Sequence, residues 1–233
     1  MKRLFIIVAL LLFGCTTNTY NYNKKNTVDH IGLAYNSVVR LAVESSSGYV
    51  VATGFSYDKD RIITAGHFCV SAIEIQMFDT HVENIEMVFY NYNVDNGSYA
   101  SKSVGGLKIE SVSNVEDLCI LRKNNHGLRP LKIADDYSKV KVRDKIVVVG
   151  VPSGFTLGEF YGRVMSTSFE KSSRLVRGKL MLSVDATGGI SGSPVMLEET
   201  GEVIGVLVVS YGGFPMSFAV RGDHLKTFVE GLE

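Results

Sequence analysis

The chain has 233 residues, with 24 Lys+Arg against 24 Asp+Glu, 45% hydrophobic and 21% charged residues. That is room for one or two small domains of about 100–200 residues each. The ordinary composition excludes general disorder, and the neutral balance lacks the basic footprint of a nucleic-acid binder, so no nucleic acid is expected as partner.

At the N-terminus Lys2 and Arg3 precede an unbroken apolar run from Leu4 to Phe13. As a helix such a run reaches about 15 Å, half of a bilayer core of about 30 Å. Residues 1–14 therefore read as a secretory signal peptide and not as a membrane span. The run closes on Leu12-Phe13-Gly14-Cys15, which resembles the lipobox of bacterial lipoproteins. That resemblance implies that Cys15 is lipidated as the first residue of the mature chain, with a cell-envelope membrane as partner through the N-terminal lipid. The other reading is a plain signal peptide with an incidental Cys; both export the chain, its domain facing the periplasm or the exterior. Residues 15–28 are polar and Asn/Thr-rich and read as a flexible tether with a reach of about 20 Å. Cys69 and Cys119 remain; export permits a disulfide between them without proving one. Neither a CxxC, a His/Cys cluster nor a nucleotide loop is present, so no metal or other cofactor is expected.

From there the body reads as β. Short apolar or alternating runs fall at 38–43, 49–57, 61–64, 73–78, 85–90, 107–112 and 118–122, with a hairpin loop from Asn93 to Gly97. A connector at 129–143, rich in Lys and Asp around Pro130, leads to runs at 145–151, 159–167, 175–184, 194–197, 203–209 and 216–220. Gly, Ser, Asn and Asp punctuate them. The one convincing helix comes last, with Asp223 placed to cap it and Leu225, Phe228, Val229 and Leu232 forming its apolar stripe. Two small barrels, 29–130 and 131–233, satisfy this pattern, because closure removes the strand edges.

Three segments carry chemistry. Arg61-Ile62-Ile63-Thr64-Ala65-Gly66-His67 runs a strand into a turn that presents a His. Val115-Glu116-Asp117-Leu118-Cys119-Ile120-Leu121 places an Asp at the start of a strand. Thr187-Gly188-Gly189-Ile190-Ser191-Gly192-Ser193-Pro194-Val195 sets a Ser in a glycine-rich turn. Each alone has a bland reading: a surface His, a solvated strand-end charge, a tight turn. Together they supply a weak nucleophile that needs a base, an imidazole that serves near neutral pH, a carboxylate to fix its tautomer, and glycines that let backbone N–H groups converge on an oxyanion.

In this order, on a two-barrel pattern, the segments resemble the chymotrypsin-like (trypsin-like) serine peptidases over roughly residues 37–233. The Ser turn with Glu202-Val203-Ile204-Gly205 is similar to bacterial glutamyl endopeptidases, and Ser217-Phe218-Ala219-Val220 before a helix is similar to Deg/HtrA protease domains. The resemblance implies an all-β fold of two six-stranded barrels with a C-terminal helix, and an endopeptidase acting on a protein or peptide substrate. His67 is then the general base, Asp117 its orienting carboxylate and Ser191 the nucleophile. The N–H groups of Gly189 and Ser191 form the oxyanion hole, and Ser210, Tyr211 and Gly212 pair with extended substrate. The contact between His67 and Asp117 makes Cys69 and Cys119 neighbours, bonded or simply two buried small residues.

Several positions depart from the family pattern. Ile190 stands where the family carries Asp or Asn, which implies a loose oxyanion turn at rest with the Gly189 N–H turned away. Ser210 stands where glutamyl endopeptidases carry a His, so glutamate specificity is not implied. Asp185, six residues ahead of Ser191, has two readings. Either it is the floor of a primary pocket for Lys or Arg, or it is a strand-end anchor, with Ala186 and Thr187 lining a small apolar pocket. A binding module on the same fold, with a collapsed oxyanion hole, is the alternative to an enzyme.

Overall fold

The computed structural model describes residues 30–46, 48–79, 85–93, 98–168, 178–210 and 215–232. The expected signal peptide, Cys15 and the tether lie outside the described residues, as do Tyr211 and Gly212. The described elements run α1 (His30–Tyr35), β1 (Val38–Ser45), β2 (Gly48–Ser56), β3 (Arg61–Ala65), α2 (Gly66–Phe78), β4 (Ile85–Asn93), β5 (Ser98–Ser113) and β6 (Leu118–Arg122). They continue with β7 (Lys145–Gly150), β8 (Gly158–Ser166), β9 (Leu180–Leu182), β10 (Pro194–Leu197), β11 (Val203–Ser210), β12 (Ser217–Arg221) and α3 (Gly222–Glu230).

Many of these strands are apolar on both sides because both sides are buried. In β1, Val39, Leu41 and Val43 point into the core of the first barrel, while Val38 faces a layer shared with the second. Ile62 and Ile63 of β3 divide in the same way, as do Ile120 and Leu121 of β6. Val147 and Val149 of β7 enter the shared layer, and Ile146 and Val148 enter the core of the second barrel. Each set of six strands closes on itself, in the orders β1-β2-β3-β6-β5-β4 and β10-β11-β12-β9-β8-β7, with antiparallel pairings. The connector crosses between the barrels along β11, where Val203 N donates to Lys132 O (2.8 Å) and Ala134 N to Val203 O (2.9 Å). The shared apolar layer fixes the two barrels against each other, and the clefts at its margins are where side chains from both halves can meet.

The sequence expectations differ from the structure in several places. Residues 73–78, expected as a strand, are the second half of helix α2. Ile73, Ile75 and Met77 alternate with polar residues as a strand would. What decides the helix is its start, where Phe68, Cys69 and Ala72 share one buried face against the first barrel. Asp223 does not cap α3: Arg221 holds the N-cap position, and Asp223, in the first turn, accepts hydrogen bonds from Arg221 and the His224 amide. Strand β5 begins at Ser98 and not near 107, because its polar first half is held by backbone pairing to β4 and not by an apolar pattern.

Candidate active site

His67 is the second residue of α2, launched from β3 through Gly66. A side chain at Gly66 has no room, since a Cβ there would lie 2.8 Å from Leu118 N and 2.9 Å from the Asp117 carbonyl carbon. This close approach brings two donors of His67 onto one carboxylate. The backbone N–H donates to Asp117 Oδ1 at 2.7 Å, and ring Nδ1 lies 3.1 Å from both Asp117 oxygens. Asp117 closes the turn between β5 and β6 in a left-handed conformation (φ 61°), and Ser113 Oγ accepts from the Glu116 amide within that turn.

Burial opposes ionisation of Asp117. The ring and amide hydrogen bonds from His67, with the Lys179 charge, outweigh it and hold the carboxyl below the usual aspartate range. An ionised carboxylate only accepts, so His67 Nδ1 is the donor in this pair, and a neutral imidazole held this way keeps its lone pair on Nε2.

The Ser191 turn is docked onto the strands that carry His67. Thr53 N of β2 donates to Ser191 O at 2.9 Å, Gly192 N to Leu207 O at 2.6 Å, and Leu207 N to Ser193 O at 2.9 Å. Gly192 (φ 89°) approaches so closely that a Cβ would lie 2.1 Å from Thr53 O and 2.9 Å from Ala65 N, two residues before His67. The Ser191 turn of the second barrel therefore packs against the first-barrel strands that lead to His67. Among the described hydrogen bonds, the His67 ring is joined to Asp117 and the partly exposed Ser191 hydroxyl is unengaged.

The expected looseness around Ile190 is not what the structure describes. Ile190 is 1% exposed, packed into the core of the second barrel, so apolar burial anchors the turn in place of a charged Asp. Ser153 N donates to Gly188 O (2.6 Å), and Thr53 Oγ1 donates to Gly189 O (2.8 Å) while accepting from Val151 N (2.9 Å). With the Gly188 carbonyl turned to Ser153, the Gly189 N–H lies on the opposite side of the same trans peptide. The amides of Gly189 and Ser191 donate to no acceptor among the described residues. Their neighbours Gly192 and Ser193 are both bonded, so two free donors flank Ile190.

Asp185 is exposed beyond the end of β9, and Ala186 beside it is buried. Ser210 is exposed at the end of β11, opposite Ser217 of β12. Sequence reasoning missed Thr53, which reaches across 136 residues to Gly189, and also Ser153 and Lys179; no local pattern marks them. Among the described residues no group of His, Cys, Asp and Glu is arranged to hold a metal ion.

Cys69 and Cys119 are bonded, with Cα atoms 6.4 Å apart across 50 residues of sequence. The bond ties α2, two residues after His67, to β6, two residues after Asp117. Closing such a loop removes about 4 kcal/mol of unfolded-chain freedom. Replacing both with Ala is expected to lower unfolding free energy by about 2–4 kcal/mol in denaturant titration. Thiol titration of the unfolded, unreduced parent should find neither Cys69 nor Cys119 free.

A family model described as a trypsin-like peptidase domain matches residues 52–206. The glutamyl endopeptidase of Staphylococcus aureus (strain MW2) is 25% identical over 210 residues, covering 85% of this chain and 58% of that protein. The chain thus spans little more than half the length of the curated relatives it matches. Among solved structures, Deg5 is 20% identical with a TM-score of 0.66, covering 85% of this chain and 89% of that one. The Rv3671c protease from M. tuberculosis, active form, is 18% identical with a TM-score of 0.67, covering 88% and 84%. The serine endoprotease from Yersinia pestis is 17% identical with a TM-score of 0.64, covering 89% and 68%. At these identities the structural likeness is one of fold.

Proposed function

The chain belongs to the trypsin-like peptidase family, and from that premise we propose that it is a serine endopeptidase whose triad is Ser191, His67 and Asp117. The observation that carries this is the doubly hydrogen-bonded His67–Asp117 pair, set beside a pinned glycine turn with two unengaged amides. In the proposed reaction Ser191 Oγ attacks the scissile carbonyl carbon and gives its proton to His67 Nε2. The carbonyl oxygen takes the negative charge and accepts from the Gly189 and Ser191 N–H groups. Collapse breaks the C–N bond, His67 hands the proton to the leaving amine, and water then repeats the sequence on the acyl-enzyme.

Substrate lies along the free end of β11, with Ser210 and the following Tyr211 and Gly212 as pairing residues. The exposure of Asp185 favours a solvated strand-end role for it, since a carboxylate in water gains little from a substrate cation. The buried Ala186 then provides an apolar wall. The reading also places the protein outside the cytoplasm, lipidated at Cys15. The buried Cys69–Cys119 bond supports that location, because such bonds persist in oxidising compartments.

The test is a phosphonofluoridate probe. The parent should gain one phosphonyl adduct, mapped by peptide mass to Ser191, with loss of fluoride. A folded parent that gains no adduct at Ser191 refutes the endopeptidase reading and leaves a binding module on the same fold.

A further inference from the structure

Lys179 is only 6% exposed, and a lysine buried to that degree requires acceptors or an opposite charge. It stands just before β9 in the second barrel, yet its Nζ donates to the Glu116 carbonyl of the first barrel at 3.1 Å. Glu116 immediately precedes Asp117. The charges that act on the ammonium are those of Asp117 and Glu116, neither of them in direct ion-pair contact with it. Glu116 in turn sends its side chain to α3, where Oε2 lies 3.1 Å from His224 Nδ1. His224 sits beside Asp223, which is paired with Arg221. The turn that presents Asp117 is therefore gripped from the second barrel at both ends of Glu116. The proposed peptidase chemistry uses neither Lys179, Glu116 nor His224.

We propose that Lys179 is a positioning residue of the triad: a cation lent by the second barrel that holds the Asp117 turn through Glu116 and balances the Asp117 charge. This rests on the triad reading above. Its physical basis is that one carboxylate both accepts from the His67 ring and feels the Lys179 charge. Asp117 stabilises a protonated His67, and an adjacent positive charge reduces that stabilisation. Burial pushes the Lys179 ammonium below the usual lysine range, while Asp117 and Glu116 pull it back up. Lys179 thus keeps its charge through the same carboxylate that it neutralises.

Two measurements test this. In the first, the parent, Lys179→Gln and Lys179→Arg are labelled with the phosphonofluoridate probe across pH. Gln can still donate to the Glu116 carbonyl but carries no charge. Its acid limb should move up by about half to one pH unit, and the Arg variant should restore the parent limb. A lysine with only a structural role would lower the rate or the stability at every pH and leave the limb in place. The second measurement does not depend on activity. Lysine Cε resonances are titrated by carbon-13 NMR in the parent and in Asp117→Asn, where Lys179 should lose its proton about one pH unit or more lower. An unmoved limb in a folded Lys179→Gln protein, or an unmoved Lys179 titration in Asp117→Asn, overturns the proposal. A parent that never labels counts against the peptidase reading instead, and the lysine titration still decides the charge balance.

Discussion

Ser191→Ala should lower turnover on a protein substrate such as casein by about 10⁶-fold. The substitution removes one oxygen at a turn whose hold on the protein is through the backbone: Ser191 O accepts from Thr53 N, and the next amide donates to Leu207 O. No described hydrogen bond uses the hydroxyl, and Ile190 remains packed in its core. The fold should therefore persist, with a thermal midpoint within a few degrees of the parent, since about 1 kcal/mol corresponds to a few degrees at this size. What disappears is the covalent route. His67 and the two amides can still orient a water, and such remnants of a triad retain about 10³–10⁴-fold acceleration over solution. A variant that cleaves at the parent rate, with its fold intact, would show that another group is the nucleophile.

Asp117→Asn should cost about 10⁴ in kcat with little change in the fold. In the parent, two donors of His67 converge on this carboxylate, the backbone N–H at 2.7 Å and Nδ1 at 3.1 Å. An amide offers one acceptor oxygen and one donor nitrogen. The main-chain N–H can keep the oxygen, but the NH2 group then faces Nδ1 and donates to it. That tautomer moves the ring proton to Nε2, the atom that must accept the proton of Ser191. Steady-state kinetics beside a thermal melt separate this from unfolding. A loss of less than about tenfold would mean that Asp117 does not govern the imidazole.

The same pair has a consequence for acid stability. The Asp117 carboxyl is held below its usual range in the folded protein. Its contribution is therefore present above the unfolded aspartate value and is lost as pH falls through the lower folded value.

Much of the candidate site was legible because its proposed chemistry draws on local segments. His67 follows a strand and a Gly, Asp117 opens a strand, and Ser191 sits among glycines; residue type and immediate neighbours suffice to nominate each. The two-barrel architecture was legible for a related reason. Short apolar runs with turn residues between them can bury their faces and remove their edges altogether by closing into barrels. The proximity of Cys69 and Cys119 followed from two of those nominations.

Other features belong to the tertiary structure alone. Ile73, Ile75 and Met77 alternate like a strand, and only the packing of Phe68, Cys69 and Ala72 against the first barrel makes that segment a helix. Ile190 looked like a missing anchor. Its burial, with Thr53 and Ser153 holding the carbonyls beside it, became visible only once the barrels were packed. Lys179 reads as one more surface charge until the second barrel carries it to the Glu116 carbonyl, next to Asp117 in the chain. The division has one physical cause. Periodicity and turn chemistry report the conformation of neighbouring residues. The partners of Ser153 and Ile190 lie on distant turns and strands of the same barrel, and those of Thr53 and Lys179 lie on the other barrel, so closure of each barrel and the packing of the two together determine which of them meet.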